Sequence, residues 1–161
     1  MSFIRLLTLS VSAMWFAGCS SGGADQPPVD ESLQQATLPQ KMCDLLPQAD
    51  AERVMSKSLV QQRNDESGCH YQDARGTTGT GLWVFLNAFR VSDQCRLTPG
   101  SESLGGVGDE ACIAIGQPDG LYTTVVFGRG GRTFEVIAPG QDRASELATA
   151  VAKLILSKLG T

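Results

Sequence analysis

The chain has 161 residues, of which 42% are hydrophobic, and a formal net charge of −4 at pH 7. This length predicts one domain that can bury a core of its own without a cofactor. The acidic balance excludes a general electrostatic attraction to nucleic acid and to anionic lipid headgroups.

The first residues of the chain predict a signal peptide that ends at a cysteine. Arg5 supplies a positive charge, residues 6–16 form an apolar run, and Ala17 and Gly18 keep the chain narrow just before Cys19. The apolar run has 11 residues, whereas a helix that crosses a bilayer needs about 20. We therefore expect a signal rather than a lasting membrane helix. An ordinary secretory signal, with an incidental Cys19, is the alternative.

This arrangement resembles the lipobox of bacterial lipoproteins, with Phe16 where that family usually has leucine. The resemblance implies that residues 1–18 are a lipoprotein signal peptide and that Cys19 carries acyl chains such as palmitate. Two or more chains hold a protein firmly on a bilayer, because each buried CH₂ contributes about 0.8 kcal/mol. The domain is then anchored in the cell membrane or outer membrane and faces the periplasm or the cell exterior. Ser20, in place of an aspartate, favours the outer membrane where the host has one.

Residues 19–40 have a polar composition that is rich in serine, glycine, proline and glutamine. Such a segment has few large apolar side chains and cannot offset the entropy cost of becoming ordered. We predict that the lipidated Cys19 begins a flexible tether, whose reach as a coil of about 20 residues is roughly 25 Å. Residues 41–161 then form the single folded domain.

Two helices are predicted, one at each end of this domain. The first runs from Pro47, which suits a first turn, to about Ser56, with Asp44 as a local cap. The second begins at Asp142 as its N-cap, carries one apolar stripe, and ends at Gly160.

The strands of the domain lie between the two helices. Five segments have the composition or the two-residue alternation of a strand: residues 67–71, 81–89, 111–115, 121–127 and 133–138. The order of elements predicts an α+β fold, in which an antiparallel sheet of four or five strands carries both helices on one face.

The second face of this sheet is the first place to look for a binding site. Leu82 and Val84 alternate with Trp83 and Phe85, so the two aromatic side chains point away from the helices. Tyr122 and residues such as Val126 could join them. Either the strand meander curls to cover these side chains, or they form a binding face.

Apart from Cys19, the chain has four cysteines, an even number that predicts two disulfides in an exported protein. Four cysteines allow three pairings, of which the pairing of neighbours is favoured: Cys43 with Cys69, and Cys95 with Cys112. Each disulfide would stabilise the fold by roughly 3 kcal/mol in the chain-entropy description.

From these residues we predict no catalytic residue, no metal and no cofactor. A zinc or redox site usually has a close C-x-x-C pair, which this sequence lacks. His70 is the only histidine, so a hydrolase would have to use it, and we expect it to be structural or on the surface.

Three other patterns have a functional interpretation that we consider weak. The glycines of residues 105–108 are followed by a strand, whereas a phosphate cradle needs a helix. Asp109 and Glu110 lack the ligand spacing of a calcium loop. Arg129 and Arg132 flank a predicted hairpin turn, where we expect them to be solvated.

Three short motifs together resemble a family of small bacterial lipoproteins of uncharacterised function. They are Cys43-Asp44-Leu45-Leu46, Ser67-Gly68-Cys69-His70-Tyr71 and Gly106-Val107-Gly108-Asp109-Glu110-Ala111. Pro47 and Cys112 depart from the usual residues of that family. The resemblance implies the same fold and location, and it implies no activity.

The sequence therefore predicts a non-enzymatic envelope domain that binds a protein, peptide or glycan, and no nucleic acid. Trp83, Phe85, Tyr122 and the loop of residues 100–108 are the expected binding residues. The alternative is a carrier or sensor of a small apolar ligand that lies between the sheet and the helices.

Overall fold

The computed structural model describes residues 38–76, 80–116, 121–140 and 143–160. The predicted signal peptide, Cys19, the tether up to residue 37, and Asp142 lie outside these ranges. The described part begins at Leu38, which packs against the main hydrophobic core.

Seven strands form one antiparallel sheet, and three helices pack on it. The helices are α1 (Gln48–Met55), α2 (Val91–Leu97) and α3 (Ala144–Lys158), and a 3-10 turn (Met42–Asp44) precedes α1. The strands are β1 (Leu59–Asn64), β2 (Gly68–Asp73), β3 (Leu82–Asn87), β4 (Glu102–Ser103), β5 (Ala111–Ile115), β6 (Tyr122–Arg129) and β7 (Arg132–Pro139). Their order across the sheet is β1-β2-β3-β7-β6-β5-β4, and every neighbouring pair is antiparallel. The predicted α+β class and antiparallel sheet are confirmed, whereas the prediction of four or five strands is wrong.

The two missed strands, β1 and β4, are the edges of the sheet. In β1 only Leu59 is buried, and both residues of β4 are exposed. β1 pairs with β2, and β4 pairs with β5, through backbone hydrogen bonds. Such pairing does not require apolar side chains, so the sequence shows no apolar alternation there. Polar side chains on an edge strand also hinder pairing with another chain.

The main core lies between the sheet and the helices α1 and α3. Both helices bury their apolar residues in it, and they contact each other and the strands beneath them. Its fully buried side chains include Leu46, Leu82, Val84, Val125, Phe127, Phe134, Val136 and Ile155. Each side chain of this size contributes about 1.5–3 kcal/mol when it leaves water. One polar group is satisfied within it, since the Tyr71 hydroxyl donates to the Leu46 carbonyl oxygen over 2.8 Å.

The ends of α1 and α3 differ slightly from their prediction. Pro47 occupies the N-cap position of α1, and Asp44 belongs to the preceding 3-10 turn instead of capping the helix. Ser56 ends α1 in a left-handed conformation, with φ of 51°. Arg143 stands at the N-cap position of α3, and Gly160, with φ of 80°, follows its last turn.

The two predicted disulfides are present. Cys43 and Cys69 join the 3-10 turn to β2, with their Cα atoms 4.9 Å apart. Cys95 and Cys112 join α2 to β5, with a Cα separation of 6.0 Å. The second bond therefore fastens a helix that the sequence did not predict.

Candidate binding face

The sheet face opposite α1 and α3 carries the aromatic residues that the alternation in β3 predicts. Leu82 and Val84 are fully buried in the main core, so Trp83 and Phe85 lie on the other face. The ring centroids of Trp83 and Tyr122 are 5.3 Å apart, with the ring planes at 80°. The two strands β3 and β6 thus bring predicted site residues together across β7, which lies between them.

Four half-buried side chains line a shallow depression on this face, which we call the aromatic depression. They are Trp83, Phe85, Tyr122 and Ile137, and the volume of the depression is about 250 Å³. Ile137 pairs in register with Trp83 and was missed as a site residue. The alternation in β7 predicts its position, because Val136 faces the core and the adjacent Ile137 must therefore face the other side of the sheet.

His70 extends the aromatic cluster toward β2. It pairs with Trp83 in the sheet, and the two rings stack with centroids 4.7 Å apart and an angle of 8°. Gly81 permits this arrangement, because a Cβ at that position would lie 2.8 Å from His70 Nε2 and 2.9 Å from the Trp83 ring. Burial lowers the pKa of His70 from its ordinary value of 6.5. Burial thus favours the neutral form of the ring, which stacks on Trp83.

Glu135 is a second residue of this face that the sequence did not single out. It pairs in register with Phe85, is half-buried, and accepts a hydrogen bond of 3.2 Å from Asn87 Nδ2. Burial raises the pKa of Glu135, and the hydrogen bond from Asn87 opposes this shift. Among the described residues no lysine or arginine makes an ion pair with Glu135.

The short helix α2 covers the neighbouring part of the same face. Val91, Cys112 and Val126 form a small buried cluster, against which Cys95 packs. Gly128 allows this contact, because a Cβ there would lie 2.9 Å from Val91 Cγ2. Val126 is fully buried beneath the helix, so the prediction that it could join the exposed aromatic residues is wrong. A helix, and not a curled meander, divides the face into a covered part and the aromatic depression.

The loop of residues 100–108 does not meet the aromatic depression. Its strand β4 is the sheet edge beyond β5, so β7, β6 and β5 separate it from β3. Val107 is buried in the main core, and Leu104 packs against the same core. The loop therefore contributes to packing at the far edge of the sheet.

The glycine-rich motif before β5 has a structural role. Gly108 has φ of 63°, and a Cβ at this position would lie only 2.2 Å from the Gly128 carbonyl oxygen. The Asp109 amide donates to that oxygen over 2.9 Å. The Asp109 carboxylate accepts hydrogen bonds from the Arg129 guanidinium, over 3.2 Å, and from the Gly130 amide, over 3.0 Å. Arg129 thus braces the hairpin instead of being freely solvated.

The structure bears on two other interpretations of the sequence, a metal or redox site at the cysteines and a ligand between the sheet and the helices. Cys43, Cys69, Cys95 and Cys112 are all consumed by disulfides. Within residues 38–76, 80–116, 121–140 and 143–160, no group of three His, Cys, Asp or Glu side chains could hold a metal ion. The main core fills the centre of the region between the sheet and the helices. Beside α3 a depression of about 440 Å³ remains, with Leu104 and Ile113 in its lining.

Comparison of the chain with protein-family models, with curated proteins and with solved structures finds no match in any of the three. The resemblance to small envelope lipoproteins stays a prediction. Over the part of the chain that the structure describes, no helix is both long and apolar enough to cross a membrane.

Proposed function

We propose that this protein is a lipid-anchored envelope domain that binds a macromolecular partner at the aromatic depression and has no catalytic role. One observation carries the proposal: Trp83, Phe85, Tyr122 and Ile137 converge on a face that α2 covers only in part. Large aromatic side chains that are half-exposed and clustered are typical of the central residues of interfaces.

The divided face supports a binding role over a purely structural one. Val126 lies on the same face as Phe85 and is fully buried by α2, which shows how this fold covers apolar side chains when it needs to. The aromatic side chains of the depression, on the same face, keep part of their surface in water. A partner that covers them would gain about 25 cal/mol for each Å² of apolar surface removed from water.

The anchor is proposed from the sequence alone. Cys19 follows a charged residue, an apolar run and two small residues, the order expected of a lipoprotein signal. We expect metabolic labelling with a palmitate analogue to mark the wild-type chain and to leave Cys19→Ser unmarked. Labelling of Cys19→Ser at the wild-type level would contradict lipidation at this cysteine.

Chemical crosslinking in intact cells tests the binding role. We expect the double variant Trp83→Ala with Phe85→Ala to lose crosslinked species that the wild-type chain forms. The matched control is Leu97→Ala with Ile115→Ala, which removes two side chains that are 61% and 58% exposed but lie outside the depression. The control should keep every crosslink.

The folded state of both variants is checked by circular dichroism and thermal unfolding. A folded Trp83/Phe85 variant that retains all crosslinks would remove the aromatic depression as the binding site.

A further inference from the structure

We propose that the aromatic depression takes an arginine side chain of a basic polypeptide, with the guanidinium stacked on Phe85 and paired with Glu135. This inference rests on the proposed function and names the chemistry of its partner. Among the described residues, no lysine or arginine makes an ion pair with the Glu135 carboxylate.

Glu135 is placed to receive a cation. A carboxylate has about four lone-pair sites for hydrogen bonds, and the described contact uses one of them, with the neutral Asn87 amide. Because Glu135 is half-buried, water solvates its charge less well than on an open surface, and an unpaired charge there is costly. A cationic ligand would relieve that cost.

The aromatic rings supply the second half of the site. Phe85 and Glu135 are directly paired across β3 and β7, which sets their Cβ atoms about 4.5–5.5 Å apart. Trp83 lies two residues along the same strand and on the same face. Glu135 does not itself line the aromatic depression, but it is the cross-strand neighbour of Phe85, which does. A cation placed over the Phe85 ring gains a cation–π attraction beside the residue that carries the carboxylate.

Arginine fits these two halves better than lysine. Its guanidinium is flat, stacks on aromatic faces, and pairs with a carboxylate through two parallel hydrogen bonds. The apolar lining, with Ile137 beside Trp83, suits the methylene stem of the same side chain. The net charge of −4 also favours the approach of a basic segment over an acidic one.

Trp83 fluorescence can report binding directly. The sequence has two tryptophans, Trp15 and Trp83. Trp15 lies in the proposed signal peptide, so the mature lipid-anchored protein, purified in detergent, carries Trp83 as its single reporter. The probe is the blocked peptide Gly-Leu-Arg-Leu-Gly, compared with the same peptide in which citrulline replaces arginine. Citrulline keeps the shape of the side chain and removes its charge.

We expect the arginine peptide to change Trp83 fluorescence in a saturable manner and to bind about tenfold more tightly than the citrulline peptide. Glu135→Gln should abolish this preference. The matched control is Glu102→Gln, which makes the same change in net charge at an exposed residue of β4 and should keep the preference. Equal binding of the two peptides, no binding of either, or equal behaviour of the two variants would overturn the inference.

The comparison of the arginine and citrulline peptides uses the protein with Glu135 unchanged. It therefore tests the inference even if the Glu135→Gln variant folds poorly. The outcome also separates the two proposals. If the Trp83/Phe85 variant loses its cellular crosslinks but arginine shows no advantage over citrulline, the depression binds a partner and the arginine assignment fails. If the Trp83/Phe85 variant keeps its cellular crosslinks and arginine shows no advantage over citrulline, both the proposed function and the arginine assignment fail.

Discussion

Single glycines decide how closely the backbone segments of this protein approach one another. Gly108 combines a left-handed conformation with a carbonyl contact to Gly128, whereas Gly105 has open space around it. Any side chain at Gly108 must therefore displace the Gly128 backbone, and with it the hydrogen bond from the Asp109 amide. The two glycines of one loop thus differ in their tolerance of substitution.

We expect Gly108→Ala to lower the free energy of unfolding by about 1–3 kcal/mol. The alanine side chain is strained in the left-handed conformation, and its Cβ clashes with the Gly128 carbonyl oxygen. Gly105→Ala should change it by less than about 0.5 kcal/mol. The measurement is the urea midpoint of both variants. Equal midpoints for the two would contradict the close approach of Gly108 to Gly128.

At the level of elements, α2 depends on its disulfide. It has seven residues and buries only Val91, so its apolar contact with the sheet is small. An isolated helix of this length is not stable in water. The bond between Cys95 and Cys112 is therefore the main tie that keeps α2 over Val126 and sets the border of the aromatic depression.

The double variant Cys95→Ala with Cys112→Ala should lose about 3 kcal/mol of stability and show fast hydrogen exchange in α2. The amides to follow are Gln94 and Thr98, which donate to the Arg90 and Gln94 carbonyl oxygens. Amides of β3 and β7, which lie inside the sheet, should stay protected under conditions where the domain remains folded. Slow exchange at Gln94 and Thr98 in this variant would show that α2 does not need the bond.

The sequence predicts those elements whose apolar pattern faces the main core, and it misses the others for a physical reason. β3, β6 and α3 have strong periodicity because one side of each is fully buried. β1 and β4 are edge strands held by backbone hydrogen bonds, and α2 is held by a disulfide. None of the three needs a regular apolar pattern, so the sequence shows none. In the binding face, Trp83, Phe85 and Tyr122 follow from alternation, whereas the pairing of Glu135 with Phe85 becomes visible only when the register of β3 and β7 is known.

For the whole molecule, acidic side chains link separate elements and make stability depend on pH. The hydrogen bond from Lys158, 2.6 Å long, lowers the pKa of Asp50 and joins α1 to α3. The Leu59 amide lowers the pKa of Glu52, and the Arg63 side chain, with the Ser67 amide, lowers that of Asp65. These contacts stabilise the folded state only while the carboxylates are ionised.

We expect the urea midpoint to fall as the pH drops below about 4, because the unfolded carboxylates take up protons at their ordinary pKa values of 3.8 and 4.5 before the folded ones do. Burial of neutral His70 acts in the same direction below its ordinary pKa of 6.5. Glu135, with its raised pKa, opposes the trend. Asp65→Asn should reduce the midpoint at pH 7 and flatten its fall between pH 5 and pH 3. A midpoint that is constant over this range would contradict the assigned contacts.

Site-specific photo-crosslinking in living cells tests the central claim most directly. A photoreactive amino acid is placed at Phe85, within the aromatic depression, and for comparison at Lys153, an exposed residue of α3 on the other side of the sheet. We expect a discrete crosslinked polypeptide from position 85 and none from position 153. No crosslink at position 85, or the same crosslink from both positions, would contradict it.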